Sequence, residues 1–163
     1  MSEVLPVEKP IDTGVTPHGW LGLILDHFAR GEQAIGQLSL ALGLPISNGS
    51  LSSLNEILNR LQASGDRKAK ALEKRIARWS ENRPKRHLLA HATIFVLNDL
   101  EGQQVLVTRH LPRDATDVTP DRMWTLAERA ELYRQASNDS RSICDHVRNI
   151  LADPVLLNQL RKA

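Results

Sequence analysis

The segment RPKRHLLAHATIF, beginning at Arg83, sets three cationic side chains, two histidines and a proline against an apolar run. Within it, Arg86 and His91 are the pair whose types could do chemistry. Imidazole titrates near neutrality and can take up or deliver a proton. A guanidinium stays charged at every relevant pH and forks two hydrogen bonds onto phosphate oxygens. Cleavage of RNA by its own 2′-hydroxyl needs both, a proton carrier and a cation for the phosphorane-like transition state. Pro84 marks a helix start, so Arg86 lies close to a helix N-terminus, where free backbone N–H groups favour an anion. In an unbroken helix the five-residue step leaves Arg86 and His91 about 140° apart, so they converge within one protomer only if the long arginine reaches round. The alternative for His91 is a histidine that hydrogen-bonds within a helical bundle.

Other candidates point less far. His87 and His91, four residues apart, share a helical face and have the spacing of a zinc pair. No HExxH glutamate and no third ligand accompany them, so no metal site and no cofactor is expected. Arg141 to His146, "RSICDH", repeats the arginine–histidine spacing inside a long helix, where solvation explains it. Cys144 falls in the apolar register of that helix and reads as core rather than nucleophile. Asp26 and His27 interrupt the first apolar stretch and could face the same cleft as the motif.

Charge is unevenly placed. Between Asp66 and His91 nine basic residues stand against three acids, a local +6, whereas the whole chain carries only +2. Arg67, Lys70, Lys74 and Arg78 lie three or four apart, one stripe along the outside of a helix, and Arg83 and Lys85 continue the charge to the motif. The ordinary reading is a solvated helix face. The functional one is a track for phosphates, strongest at low salt. Aromatic residues do not interleave it, which argues against a base-stacking platform and for contact with the nucleic-acid backbone.

The elements that must position these residues are mainly helical. Residues 1–15 read as a flexible arm with Pro6 and Pro10. Thr16-Pro17 opens a helix whose apolar residues, from Trp20 through Ile24, Phe28, Ile35 and Leu38 to Leu42, make one buried face. Gly43 and Pro45 stop it. A second helix starts near Leu51, with a break or a kink at Ser64-Gly65-Asp66, and resumes with Ala69, Leu72, Ile76 and Trp79 on one face. A short helix runs from Pro84 to about Ala92. Residues 93–99 and 104–110 read as a β-hairpin, and Leu111 to Met123 as a polar loop. Thr125 to Glu128 is a capping box opening a long helix that carries Ala130, Tyr133, Ala136, Ile143, Val147, Ile150 and Leu151. Asp153-Pro154 then caps a short C-terminal helix.

With 163 residues, 41% of them hydrophobic and 25% charged, the chain suits a single globular domain over 16–163. Aromatics make up only 4%, so its core must be aliphatic. The single cysteine allows no internal disulfide. The first residues lack the basic start and apolar run of a signal peptide, and no apolar stretch reaches spanning length, so the expectation is a soluble, cytoplasmic protein without a membrane partner.

Arg86-His87-Leu88-Leu89-Ala90-His91 resembles the signature of the HEPN superfamily, small helical domains marked by an arginine, a polar residue, a short gap and a histidine. Leu89-Ala90-His91 matches the "RNxLAH" form directly, with His87 in the slot where asparagine is commonest. The resemblance covers the helical order over most of the chain, but six residues carry motif-level identity. It implies an all-α, HEPN-like bundle of four main helices plus the short C-terminal one, here with a small inserted β-hairpin at about 93–110. It also implies a homodimer acting as a metal-independent endoribonuclease, in which Arg86 holds the scissile phosphate, His91 is the general acid or base and His87 orients them. Such domains belong to toxin–antitoxin or phage-defence systems, often beside an antitoxin or nucleotidyltransferase partner. The rival implication is a non-catalytic dimer that binds a protein or senses a nucleotide.

Overall fold

A computed structural model describes residues 16–45, 51, 53–110 and 120–163. The expected N-terminal arm, the loop at 46–50 and residues 111–119 lie outside that set.

Helix α1 spans Pro17–Ala41, and the Thr16 hydroxyl accepts the Gly19 N–H at 3.1 Å, closing its first turn. Gly43 takes a left-handed φ of 72° and the Leu44 N–H returns to the Ser39 carbonyl at 3.0 Å, which ends the helix. Helix α2 (Leu54–Ala63) buries Leu54, Ile57 and Leu61. At the next interruption the chain breaks rather than kinks. Gly65 is left-handed, and the Asp66 carboxylate accepts the N–H groups of Lys68 (2.7 Å) and Ala69 (3.2 Å) to start a new helix. That helix, α3 (Arg67–Glu81), buries the stripe Ala69, Leu72, Ile76 and Trp79. After one intervening residue, Asn82, α4 runs over Arg83–His91, held down by Leu89.

Strands β1 (Thr93–Asn98) and β2 (Gln104–Arg109) form the expected antiparallel hairpin, with Phe95 opposite Val107. A third strand was not foreseen. Arg122–Trp124, whose first two residues the sequence assigns to a polar loop, forms β3 and pairs antiparallel with β2, giving a three-stranded sheet in the order β1-β2-β3. What fixes it is Trp124, whose buried indole donates to the Thr108 hydroxyl at 3.0 Å and packs 6.0 Å from Trp20 of α1.

Helix α5 (Leu126–Leu151) opens on the predicted capping box, and α6 (Pro154–Lys162) on the Asp153 cap. Among the described residues the architecture is a helical bundle with a small sheet, as expected, but with six helices and three strands in place of four main helices, a short one and a hairpin. Helix α5 is central, packed between α1 and α3, with α6 against its end and α4 against α1. Its buried face is also more polar than its apolar periodicity suggests. Arg129, Leu132, Asp139 and Ser140 are buried, while Ala130 and Tyr133 are only half so. One aliphatic core with Trp20, Trp79 and Trp124 at its seams joins all the helices and the sheet.

Candidate functional site

The RHLLAH segment forms the body of α4, and its residues leave the helix in three directions. Leu89 is buried in the core, and Lys85, one turn earlier on the same side, donates to the Asn82 side-chain oxygen at 2.9 Å. Buried Asn82 in turn donates to Gln135 of α5 at 3.0 Å, which anchors the α3–α4 junction. Arg86 turns instead towards α1. Its Nε lies 3.3 Å from one Glu32 oxygen and its Nη2 donates to the other at 3.3 Å. Both groups are mostly shielded from solvent, so the pair fastens α4 to α1; the buried Nε lies within ion-pair distance but makes no hydrogen bond among the described residues, and Nη1 is not engaged by Glu32. The backbone N–H of Arg86 is spent as well, on the Asn82 carbonyl at 3.1 Å.

His87 and His91 point the third way. Both are exposed, and their rings lie one helical turn apart with centroids 4.5 Å from each other. Within one chain, then, the structure brings the two histidines together and does not bring Arg86 to them. The helical arithmetic anticipates this, since five residues turn the side chains about 140° apart.

The basic stripe also divides. Arg67, Lys70 and Lys74 are exposed on α3 with no ion-pair partner among the described residues. Arg78 is engaged. Its guanidinium grips the Asp139 carboxylate of α5, with Nε donating at 3.0 Å, and Arg75 approaches the same oxygen at 3.4 Å. Asp139 is 1% exposed, and the hydrogen bond to it raises the arginine's already high pKa. Arg78 thus serves the packing of α3 on α5 before any ligand. Arg83 is exposed at the start of α4 without a partner among the described residues.

Beside Arg78 and Lys85 a polar cleft of about 370 Å³ opens between the α3–α4 junction and α5, lined also by Asn82, Arg134 and Asn138. Arg134 and Gln135 escaped the sequence reading because they lie some fifty residues downstream, on an unremarkable charged helix face. The signal available was the proximity of Arg134 to Glu131, which bonds both side chains at 2.6 Å.

His27 does not join this region. It faces a groove of about 520 Å³ between α1 and α5, where its Nδ1 lies 3.4 Å from the Ser140 hydroxyl and its buried Nε2 has no partner among the described residues. Burial pushes its pKa below the ordinary value of 6.5 despite neighbouring Asp26. Arg141 and Cys144 line the same groove. Burial pushes the Cys144 thiol up, the opposite of nucleophile activation. Among the described residues no group of three His, Cys, Asp or Glu side chains is arranged to hold a metal ion, and no helix is long and apolar enough to cross a membrane.

No protein-family model, curated protein or solved structure matches the chain.

Proposed function

We propose that the chain is an RNA-directed, HEPN-like domain with metal-independent endoribonuclease chemistry centred on α4. The observation that carries this reading is the pair of exposed imidazoles, His87 and His91, with centroids 4.5 Å apart on the solvent face of a helix that begins in cationic residues. Two adjacent imidazoles can divide the proton work of transesterification. His91 takes the proton from the 2′-hydroxyl as the 2′-oxygen–phosphorus bond forms. His87, protonated, delivers one to the departing 5′-oxygen as the phosphorus–oxygen bond breaks. The products are a 2′,3′-cyclic phosphate and a 5′-hydroxyl. Arg83, one turn before His87 on the same helical face, supplies positive charge for the phosphate, Arg86 does so from a second copy in the homodimer that the resemblance implies, and Arg67, Lys70 and Lys74 guide the backbone towards it. On this reading a toxin or phage-defence role, with an antitoxin or nucleotidyltransferase beside it, follows the resemblance.

A second reading is favoured by the Arg86–Glu32 pair, which offsets the charge a phosphate would meet. It is a non-catalytic partner-binding or nucleotide-sensing module on the same bundle. Incubation with total tRNA in EDTA separates the two. Cleavage by the wild type leaving 2′,3′-cyclic ends, reduced at least about 100-fold in His91→Ala, is the expected result. Equal cleavage in both, or none from a folded wild type, overturns the nuclease.

A further inference from the structure

Helix α4 turns two histidines to solvent and fixes the backbone beneath them. His87 and His91 are exposed, one helical turn apart, with ring centroids 4.5 Å from each other. The helix is held on its other faces. Leu89 is buried in the core, the Asn82 side chain at its start donates to Gln135 of α5 at 3.0 Å, and Arg86 is paired with Glu32 of α1. The separation of the two imidazoles is therefore set by a fastened helix and changes only with their own side-chain torsions.

Two imidazole nitrogens that share one zinc ion each stand about 2.0–2.1 Å from it, which places them about 3 Å from each other. Ring centroids 4.5 Å apart put the ring edges within that reach, with no movement of the main chain. Once one imidazole holds an ion, the second meets it at high effective concentration, an advantage that a lone surface histidine lacks. The surrounding charge permits a cation. His91 is the last residue of α4, where the carbonyls of the final turn favour positive charge. The charge of Arg86 is already met by Glu32. Arg83, one turn before His87, opposes a cation, but it is exposed and screened by water and salt.

The donor set selects the ion. Imidazole suits copper, nickel and zinc, whereas magnesium and calcium take oxygen ligands. Among the described residues no third His, Cys, Asp or Glu side chain completes a closed centre. Two protein ligands leave the other positions to water, which makes an open and reversible site.

We infer that His87 and His91 together chelate one divalent transition-metal ion of the zinc, nickel and copper class. With half of a tetrahedral shell supplied by the protein, dissociation on the order of 10–100 µM is expected for zinc. Copper binds tighter. The ion takes the ring lone pair that a general base needs and displaces the proton that a general acid carries. On the nuclease reading, on which this consequence alone rests, the bound ion silences cleavage and EDTA restores it.

The test is isothermal titration calorimetry of the untagged full chain with zinc chloride and, as a control, magnesium chloride. Zinc is expected to bind one ion per chain, at least about 10-fold more weakly in His87→Ala and in His91→Ala and unchanged in His146→Ala. Magnesium is expected to give no binding. Both alanine variants of the pair remove exposed side chains, and their circular dichroism spectra are expected to match the wild type. No zinc binding up to about 1 mM, or binding of full strength in either variant, overturns the inference. Cleavage of tRNA separates it from the nuclease reading. Saturating zinc is expected to lower cleavage at least about 10-fold, reversed by EDTA. Full cleavage with zinc bound overturns the silencing, whereas a chain that binds zinc through the pair and never cleaves overturns the nuclease and upholds the metal site.

Discussion

Asp139 shows how a single buried charge constrains the surface above it. Its carboxylate is 1% exposed, whereas the side chains of Arg75 and Arg78 that meet it are 38% and 51% exposed. Removing the acid leaves cations that reach water, but removing the cations leaves a carboxylate that does not. Asp139→Asn is therefore expected to cost about 1 kcal/mol, close to an ordinary hydrogen bond. The double change Arg75→Ala and Arg78→Ala is expected to cost about 3 kcal/mol, because it strands the buried charge. Urea denaturation of the three proteins measures the asymmetry. Equal costs would mean that water reaches Asp139 after truncation. Arg86 and Glu32 follow the same logic on a smaller scale, and there the ion pair competes directly with the phosphate role of the arginine.

Among the elements, α1 comes close to Trp79 of α3 at Gly31. A Cβ on Gly31 would stand 3.0 Å from the Trp79 Nε1 and 3.2 Å from its Cε2. Both sides of that contact are buried, and the indole cannot swing out of the core. Gly31→Ala gains about 1 kcal/mol of helix propensity. Against that, overpacking a rigid aromatic costs about 1–3 kcal/mol. The overlap wins, and a net loss of about 1 kcal/mol is expected in thermal melts. Adding Trp79→Phe should recover part of the Gly31→Ala penalty, as a double-mutant cycle would register. The ends of the elements are secured across the fold too. Arg161 of α6 donates to the Ala41 carbonyl at the end of α1 (2.8 Å), and Arg60 of α2 caps the carbonyls of Leu160 (3.2 Å) and Arg161 (3.0 Å).

Over the whole molecule the charge is lopsided, with the +6 of residues 66–91 set against a total of +2. Arg67, Lys70 and Lys74 present the part of it on α3 that is exposed and unpaired among the described residues. If they track a single-stranded backbone, each contact contributes about 0.7 to the slope of log affinity against log salt. Replacing all three with glutamine is expected to lower that slope by about 2, read by fluorescence anisotropy with a labelled single strand across a salt series. An unchanged slope would assign the stripe to solvation alone. Arg78 is left out of the set because its charge is already met by Asp139.

The sequence by itself determined what depends on a few neighbouring residues. The caps at Thr16, Thr125 and Asp153, the interruption at Gly65, the buried stripe of α3 and the β1–β2 hairpin are contacts within a turn or a hairpin, and periodicity and cap chemistry make them legible. The angular separation of Arg86 and His91 was legible for the same reason. Only the tertiary structure decided what each charge does. Arg86 meets Glu32 across 54 residues and Arg78 meets Asp139 across 61. A helical stripe cannot show which of its cations will find a carboxylate on another helix. The third strand belongs with these. Arg122–Trp124 is too short to carry a pattern of its own, and it becomes a strand because Trp124 buries against Trp20 and Thr108. Local geometry is set by short-range sterics and hydrogen bonds, whereas partner choice waits for the chain to return on itself.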